Sequence, residues 1–166
     1  SAQSTPTNAA SFTYTLTFSE TVTGVAAGDF SNTGTATGCS FDPGTDTGSS
    51  RTVTVSGCSA GTVTPVFAAN GASDSATNTG PALASTATST ITVDVTAPSV
   101  SSFTSAQSTP TNAASFTYTL TFSETVTGVA AGDFSNTGTA TGCSFDPGSD
   151  SGSSRTVTVS GCASGT

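Results

Sequence analysis

The stretch GCSFDPGTDTGSSRTVTVSGC, residues 38–58, returns 104 residues later as GCSFDPGSDSGSSRTVTVSGC, residues 142–162. Cys39 and Cys58 flank a segment rich in Pro, Gly, Asp and Ser, the residues of tight reversals. An antiparallel hairpin that sets Cys39 opposite Cys58 also sets Phe41 against Ser56, Pro43 against Thr54 and Thr47 against Ser50. Its turn then falls at residues 47–50, where Gly48 supplies the conformational freedom of a reversal. The spacing predicts disulfides Cys39–Cys58 and Cys143–Cys162, each closing a short loop and stabilising the fold by roughly 3 kcal/mol on the chain-entropy account. Zinc requires about four ligands, and the chain has no His and no CxxC spacing. A redox pair would show CxxC beside a βαβ pattern, which is also missing. Stapled cysteines point to an oxidising compartment, hence an extracellular or cell-surface location.

The repeat extends well beyond the cysteines. Residues 1–62 recur as residues 105–166, differing only where Thr45, Thr47, Ser59 and Ala60 become Ser149, Ser151, Ala163 and Ser164. That period is too long for a solenoid unit and suits a whole domain. The joint is ITVDVTAPSV, residues 91–100, with Pro98 placed where a strand opens. The reading is therefore two beads. One spans residues 1–96 and lacks its first strand; the other spans residues 97–166 and stops before its last strands. A linker as short as Val95-Thr96-Ala97 predicts a semi-rigid rod.

Within a bead the apolar residues alternate. In SFTYTLTFS, residues 11–19, Phe12, Tyr14, Leu16 and Phe18 share one face and Thr13, Thr15 and Thr17 the other, the period-two mark of a half-buried strand. Residues 51–56 repeat the pattern with Val53 and Val55 inward. Residues 89–95 place Ile91, Val93 and Val95 inward. Further strands are read at residues 35–41, 61–69 and 99–105, with Pro65 marking an edge or bulge in the second of these. AAGDF, residues 26–30, is the one helical turn. Short strands, turn residues between them and no helical period predict an all-β, two-sheet sandwich. The Thr-rich outer faces read as solvent-facing strand surface rather than as an ice- or glycan-binding array, because the Thr pairs are spread over several strands.

The joint DVTAPSV, the segment TFSETVTGVAAGDF and the loop NGASDSATN together resemble the immunoglobulin-like tandem repeats of large bacterial surface proteins and adhesins. The resemblance runs along the whole repeat. It implies immunoglobulin-like β-sandwich domains with a role as stalk, extender or adhesive fibre. The hairpin cysteines depart from many such repeats.

In a seven-strand sandwich the loop carrying Glu20 and the loop carrying Asp74 lie at one pole with the amino terminus. By the same topology Glu124 faces the joint that carries Asp94. Such carboxylates are hard oxygen ligands of the kind calcium takes, and repeats of the resembled kind rigidify their joints this way. Against that, calcium takes about six to eight oxygens, and each joint offers three carboxylates at most. Asp42 and Asp46 read as turn residues.

Composition narrows the function classes. The chain is 33% hydrophobic and 7% charged, with two Arg, no Lys and a net charge of −8. That balance excludes a nucleic-acid stripe, which must be basic, and adhesion to an anionic membrane. No apolar run approaches the ~20 residues of a membrane-spanning helix. Without His or Lys, Ser and Thr have no base partner for nucleophilic catalysis, and no Gly-rich phosphate loop opens a helix. The sequence thus predicts no enzyme and no cofactor beyond calcium at the joints. It predicts an extracellular stalk or self-assembling filament whose partners are copies of itself or neighbouring repeats. A glycan-binding adhesin module is the alternative, although its usual aromatic platform is missing from the outer faces.

Overall fold

The computed structural model describes residues 1, 3–44, 48–148 and 152–166. The chain divides into two compact units, Ser1–Thr96 and Ala97–Thr166. Both are all-β apart from one 3-10 turn each, Ala27–Asp29 and Ala131–Asp133, where residues 26–30 predict one. The turn is closed locally, with the Ala26 amide donating to Asp29 Oδ2 at 2.8 Å and its counterpart Ala130 to Asp133 Oδ2 at 2.9 Å.

Unit 1 contains β1 (Ser11–Thr17), β2 (Phe30–Asn32), β3 (Ser40–Asp42), β4 (Ser50–Ser56), β5 (Gly61–Val63), β6 (Pro65–Phe67), β7 (Ala72–Ser73), β8 (Thr79–Gly80), β9 (Ser85–Thr86) and β10 (Ile91–Val93). They form four small sheets, ordered β1-β4-β3, β10-β5, β2-β6-β9 and β7-β8. The alternating stretches make the longest ladder. Phe12 faces Val55, Tyr14 faces Val53 and Leu16 faces Arg51 across the antiparallel β1–β4 pair. Phe12 and Tyr14 are buried and the three threonines between and after them are exposed, as a pleated strand with one wet face requires.

Two apolar clusters hold the unit. The first joins Phe12, Tyr14, Ala36, Val55, Val63, Ile91 and Val93, so the inner faces of β1-β4-β3 and β10-β5 share one core, with Cys39, Cys58 and Phe41 against its rim. Val53, Val55, Val63 and Ile91 are 0–2% exposed. Burying such a side chain is worth about 1.5–3 kcal/mol. The second cluster gathers Val22, Val25, Phe67 and Ala72, with Leu16, Phe18 and Phe30 packed on it.

Pro65 splits the stretch 61–69 as a residue without an amide must. β5 ends at Val63 on β10, and β6 restarts at Pro65 between β2 and β9. The gap residue Thr64 is held by Asn32 Oδ1, which accepts its amide at 2.7 Å. The strand read at residues 35–41 shortens to β3, because Ala36 instead donates its amide to Thr62 O. Val95, expected inward, is 61% exposed. The β10 ladder ends at Val93, and the Asp94 amide makes the last bond of this edge, to Thr7 O.

Unit 2 contains β11 (Val100–Thr104), β12 (Ser115–Phe122), β13 (Ser144–Asp146) and β14 (Ser154–Ser160), in one sheet ordered β11-β12-β14-β13. The β12–β14 register repeats β1–β4 residue for residue. The inner side chains Phe116 and Tyr118 are half-buried where Phe12 and Tyr14 are buried, since among the described residues no pair equivalent to β5 and β10 lies over that face.

Candidate functional site

The cysteine-bracketed hairpin is built as two strands that meet at a sulfur bridge. Cys39 and Cys58 are bonded with their Cα atoms 4.2 Å apart, and Cys143 and Cys162 repeat the geometry. The register differs from the expected one. β3 pairs Ser40 with Ser56, Phe41 with Val55 and Asp42 with Thr54, whereas the expected alignment sets Phe41 against Ser56. One step from Ser40 to Cys39 is matched by two from Ser56 to Cys58, the count of a β-bulge. The extra residue is Gly57, at φ +71°. Glycine adopts this left-handed geometry at little cost. Thr47 at the expected turn, and Asp46 beside it, lie outside the described residues; Asp42 Oδ1 accepts the Gly44 amide at 2.9 Å, as expected of a turn residue.

The four carboxylates read as calcium ligands are placed as follows. The loop after β1 meets β7 through a mutual pair of backbone hydrogen bonds between Thr23 and Ser73. Thr23 lies three residues past Glu20, and Ser73 directly precedes Asp74. Asp74 is occupied by its own turn. Its Oδ1 accepts the amides of Ala76 and Asn78, each at 2.8 Å, and its Oδ2 accepts Asn78 Nδ2 at 2.8 Å. The Asn78 side chain, followed by these amides, holds the Asp74 carboxyl below the usual carboxylate range. Asp94 closes a short turn by accepting the Thr96 amide at 3.0 Å. Glu20 is exposed; Glu124 is half-buried, and its Oε1 has no hydrogen-bond partner among the described residues. Among the described residues no group of three or more His, Cys, Asp or Glu side chains could hold a metal ion.

A shallow cleft opens beside the disulfide in each unit. In unit 1 it measures about 460 Å³ and is lined by residues that include Phe30, Asn32, Ala36, Cys39 and Phe41. In unit 2 it measures about 580 Å³ and uses Phe134, Asn136, Ala140, Cys143 and Phe145. The two phenylalanines stack in both, with centroids 5.8 Å and 6.0 Å apart. Among the described residues the cleft linings consist of ring faces, hydroxyls, the Asn32 and Asn136 amides and backbone groups. The Asn32 amide nitrogen donates to Ala36 O at 2.9 Å and Thr62 O at 3.1 Å, and its oxygen accepts from Gly34 as well as Thr64. Asn136 holds the matching loop through Ala140 O, Thr166 O and the Gly138 amide.

The sequence reading missed the arginines. Arg51 is 3% exposed, and its Nη2 donates to Val22 O at 2.8 Å. Arg155 repeats this with Val126 O at 2.7 Å. Each cation is spent on anchoring a loop to a strand and is withdrawn from any surface chemistry. Its parity with Val53 and Val55 on β4 was the available signal. Tyr14 is a second buried polar anchor, donating its hydroxyl to Val63 O at 2.9 Å. Burial pushes its pKa above the ordinary phenol value.

Comparison with family models, with curated proteins and with solved structures found no match.

Proposed function

We propose that the chain is part of an extracellular structural array of immunoglobulin-like beads, serving as a surface stalk or a self-assembling filament. The observation that carries this reading is the duplication: one 62-residue sequence, present twice with four substitutions, closes the same cysteine-bridged hairpin in both places within an all-β chain. Near-identity of copies suits an assembly in which every contact must be the same. Two disulfides suit an oxidising compartment. No helix is long and apolar enough to cross a membrane among the described residues. The shared core between β1-β4-β3 and β10-β5 supports a sandwich. Arg51, Arg155 and Asn32 are engaged in holding loops to strands, as suits a passive part.

A second reading, a glycan-binding module, is favoured by one feature, the stacked Phe30–Phe41 pair recurring in both clefts. Negative-stain imaging of the purified protein separates the main options. A filament shows a fixed axial repeat and a stalk runs as an elongated monomer. A compact particle of one size refutes both. A glycan array tests the second reading, which predicts binding that is weakened in Phe41→Ala and lost when Phe41→Ala and Phe145→Ala are combined.

A further inference from the structure

The outer edge of the cysteine-bracketed hairpin is open in both units. β3 ends the sheet order β1-β4-β3, and β13 ends the order β11-β12-β14-β13. Between them the two units hold every position of the 104-residue repeat. Among the described residues no strand pairs with the outer side of β3 or β13. The register shows which backbone groups face outward. The Phe18 amide donates to Ser49 O at 2.7 Å, so Ser49, Arg51, Val53 and Val55 turn their backbone groups to β1. Thr54 and Ser56 therefore turn theirs to β3, where they meet Asp42 and Ser40. The amide and carbonyl of Phe41 are left facing outward, and those of Phe145 likewise in unit 2.

An edge with outward amides and carbonyls is a template for another chain. This one is cut short on both sides. Toward the turn, the next outward position is Pro43, which has no amide to donate, and β3 ends before it at Asp42. Toward the disulfide, the chain passes through Gly38 at φ +74°, and the Thr37 carbonyl turns back to accept the Ser59 amide at 2.8 Å. Asp42 is exposed and sets a charge at the end of the strand. Pro147, Gly142 and Asp146 repeat all three features in unit 2. The need for such limits is greatest between near-identical beads. They present the same edge to one another, and misassembly between neighbours is the characteristic failure of repeat proteins.

We propose that Pro43 and Pro147, with Asp42 and Asp146 beside them, guard the β3 and β13 edges against pairing with the same edge of another copy. The proline withholds the second outward amide, which leaves Phe41 as the one residue of β3 with both groups turned outward. A single amide–carbonyl pair does not hold an incoming strand, and the carboxylate opposes one in a chain of net charge −8. Without the proline, β3 could lengthen toward the turn and offer alternate outward amides to a second β3. The inference goes beyond the array reading. It closes the hairpin edge to assembly in a stalk and in a filament alike, so a filament contact would lie elsewhere on the bead.

The test compares the full chain with a variant carrying Pro43→Val and Pro147→Val, and follows amide exchange at Phe41 and Phe145 against protein concentration. In the parent, exchange at these two amides is independent of concentration. In the variant it slows by about tenfold or more as concentration rises, while Phe12 and Tyr14 on the β1–β4 ladder are unchanged. Pro98→Val, at an exposed proline of the joint, leaves exchange at Phe41 and Phe145 as in the parent. If valine disturbs the hairpin, Phe12 and Tyr14 lose protection. Asp42→Thr with Asp146→Thr then decides, and exchange at Phe41 is expected to slow by about threefold with concentration. The proposal is overturned if the folded proline variant, or in its place the aspartate variant, shows no concentration dependence. It is also overturned if the parent already shows that dependence, or if Pro98→Val shows it equally. Either result is compatible with a fixed repeat in negative stain, so the array reading is judged separately.

Discussion

Gly38 and Gly57 face each other across the hairpin, one residue from the disulfide on either strand, and both lie at positive φ, +74° and +71°. A Cβ on Gly57 would stand 3.4 Å from Gly38 O, and one on Gly38 would stand 3.3 Å from Gly57 O. The left-handed backbone, more than crowding, therefore sets the cost of a side chain here. Gly57→Ala is expected to destabilise unit 1 by about 1–2 kcal/mol. Gly28→Ala, whose Cβ meets nothing within 4 Å at ordinary φ, should stay within about 0.5 kcal/mol of the parent. Urea unfolding followed through β4 amide exchange measures both.

The bridge beside these glycines closes a loop of sequence separation 19. Replacing Cys39 and Cys58 together by Ser is expected to cost about 3 kcal/mol. Denaturation of the oxidised, reduced and double-substituted chains checks this. In unit 1 reduction should reproduce the double substitution; unit 2 should keep its own transition in the substituted chain, where Cys143–Cys162 is intact, and lose stability only on reduction.

These two sites mark how much the residues announce in advance. The Phe12–Tyr14 and Val53–Val55 alternation was legible because one buried face imposes a period of two, and the cysteine pairing because only one symmetric partner exists in each copy. The register was misjudged by one, since a bulge glycine looks like any turn glycine until the ladder is drawn. β2, β7, β8 and β9 went unread because pairs of two or three residues carry no periodicity. Arg51 went unread for another reason: a lone charge at a strand start suggests solvent, and only its parity with Val53 places it inside. In the candidate site, the engagement of both Asp74 oxygens by its own turn depended on local geometry that no spacing in the sequence announces.

Arg51 makes a sharper prediction because it is the one buried cation of its unit among the described residues. Arg51→Leu fills similar space but leaves Val22 O without the Nη2 donor. The expected loss is about 1.5–3 kcal/mol, the value of a hydrogen bond to a charged group. Arg51→Lys should not restore it, because an ammonium lacks the planar fork of the guanidinium. Thermal unfolding of the three chains decides this.

Tyr14 links stability to alkaline pH. Its pKa is raised in the folded state, chiefly by burial, so the folded form holds the phenol proton more tightly than the unfolded chain. The corresponding stability is complete below the ordinary value of 10.0 and is lost as pH rises through the folded value. Urea midpoints of the parent should fall from about pH 10 upward, and Tyr14→Phe should flatten that fall while costing about 1 kcal/mol at neutral pH from the lost bond to Val63 O.

The account stands or falls on whether these stapled, duplicated beads serve as scaffold outside the cell. Immunogold cryo-tomography of the source cells, with an antibody to this chain, measures that directly. The account predicts label along regular surface projections or shed filaments, spaced at a constant interval. Label confined to the cell interior, or scattered over dispersed particles with no projecting structure, would contradict it.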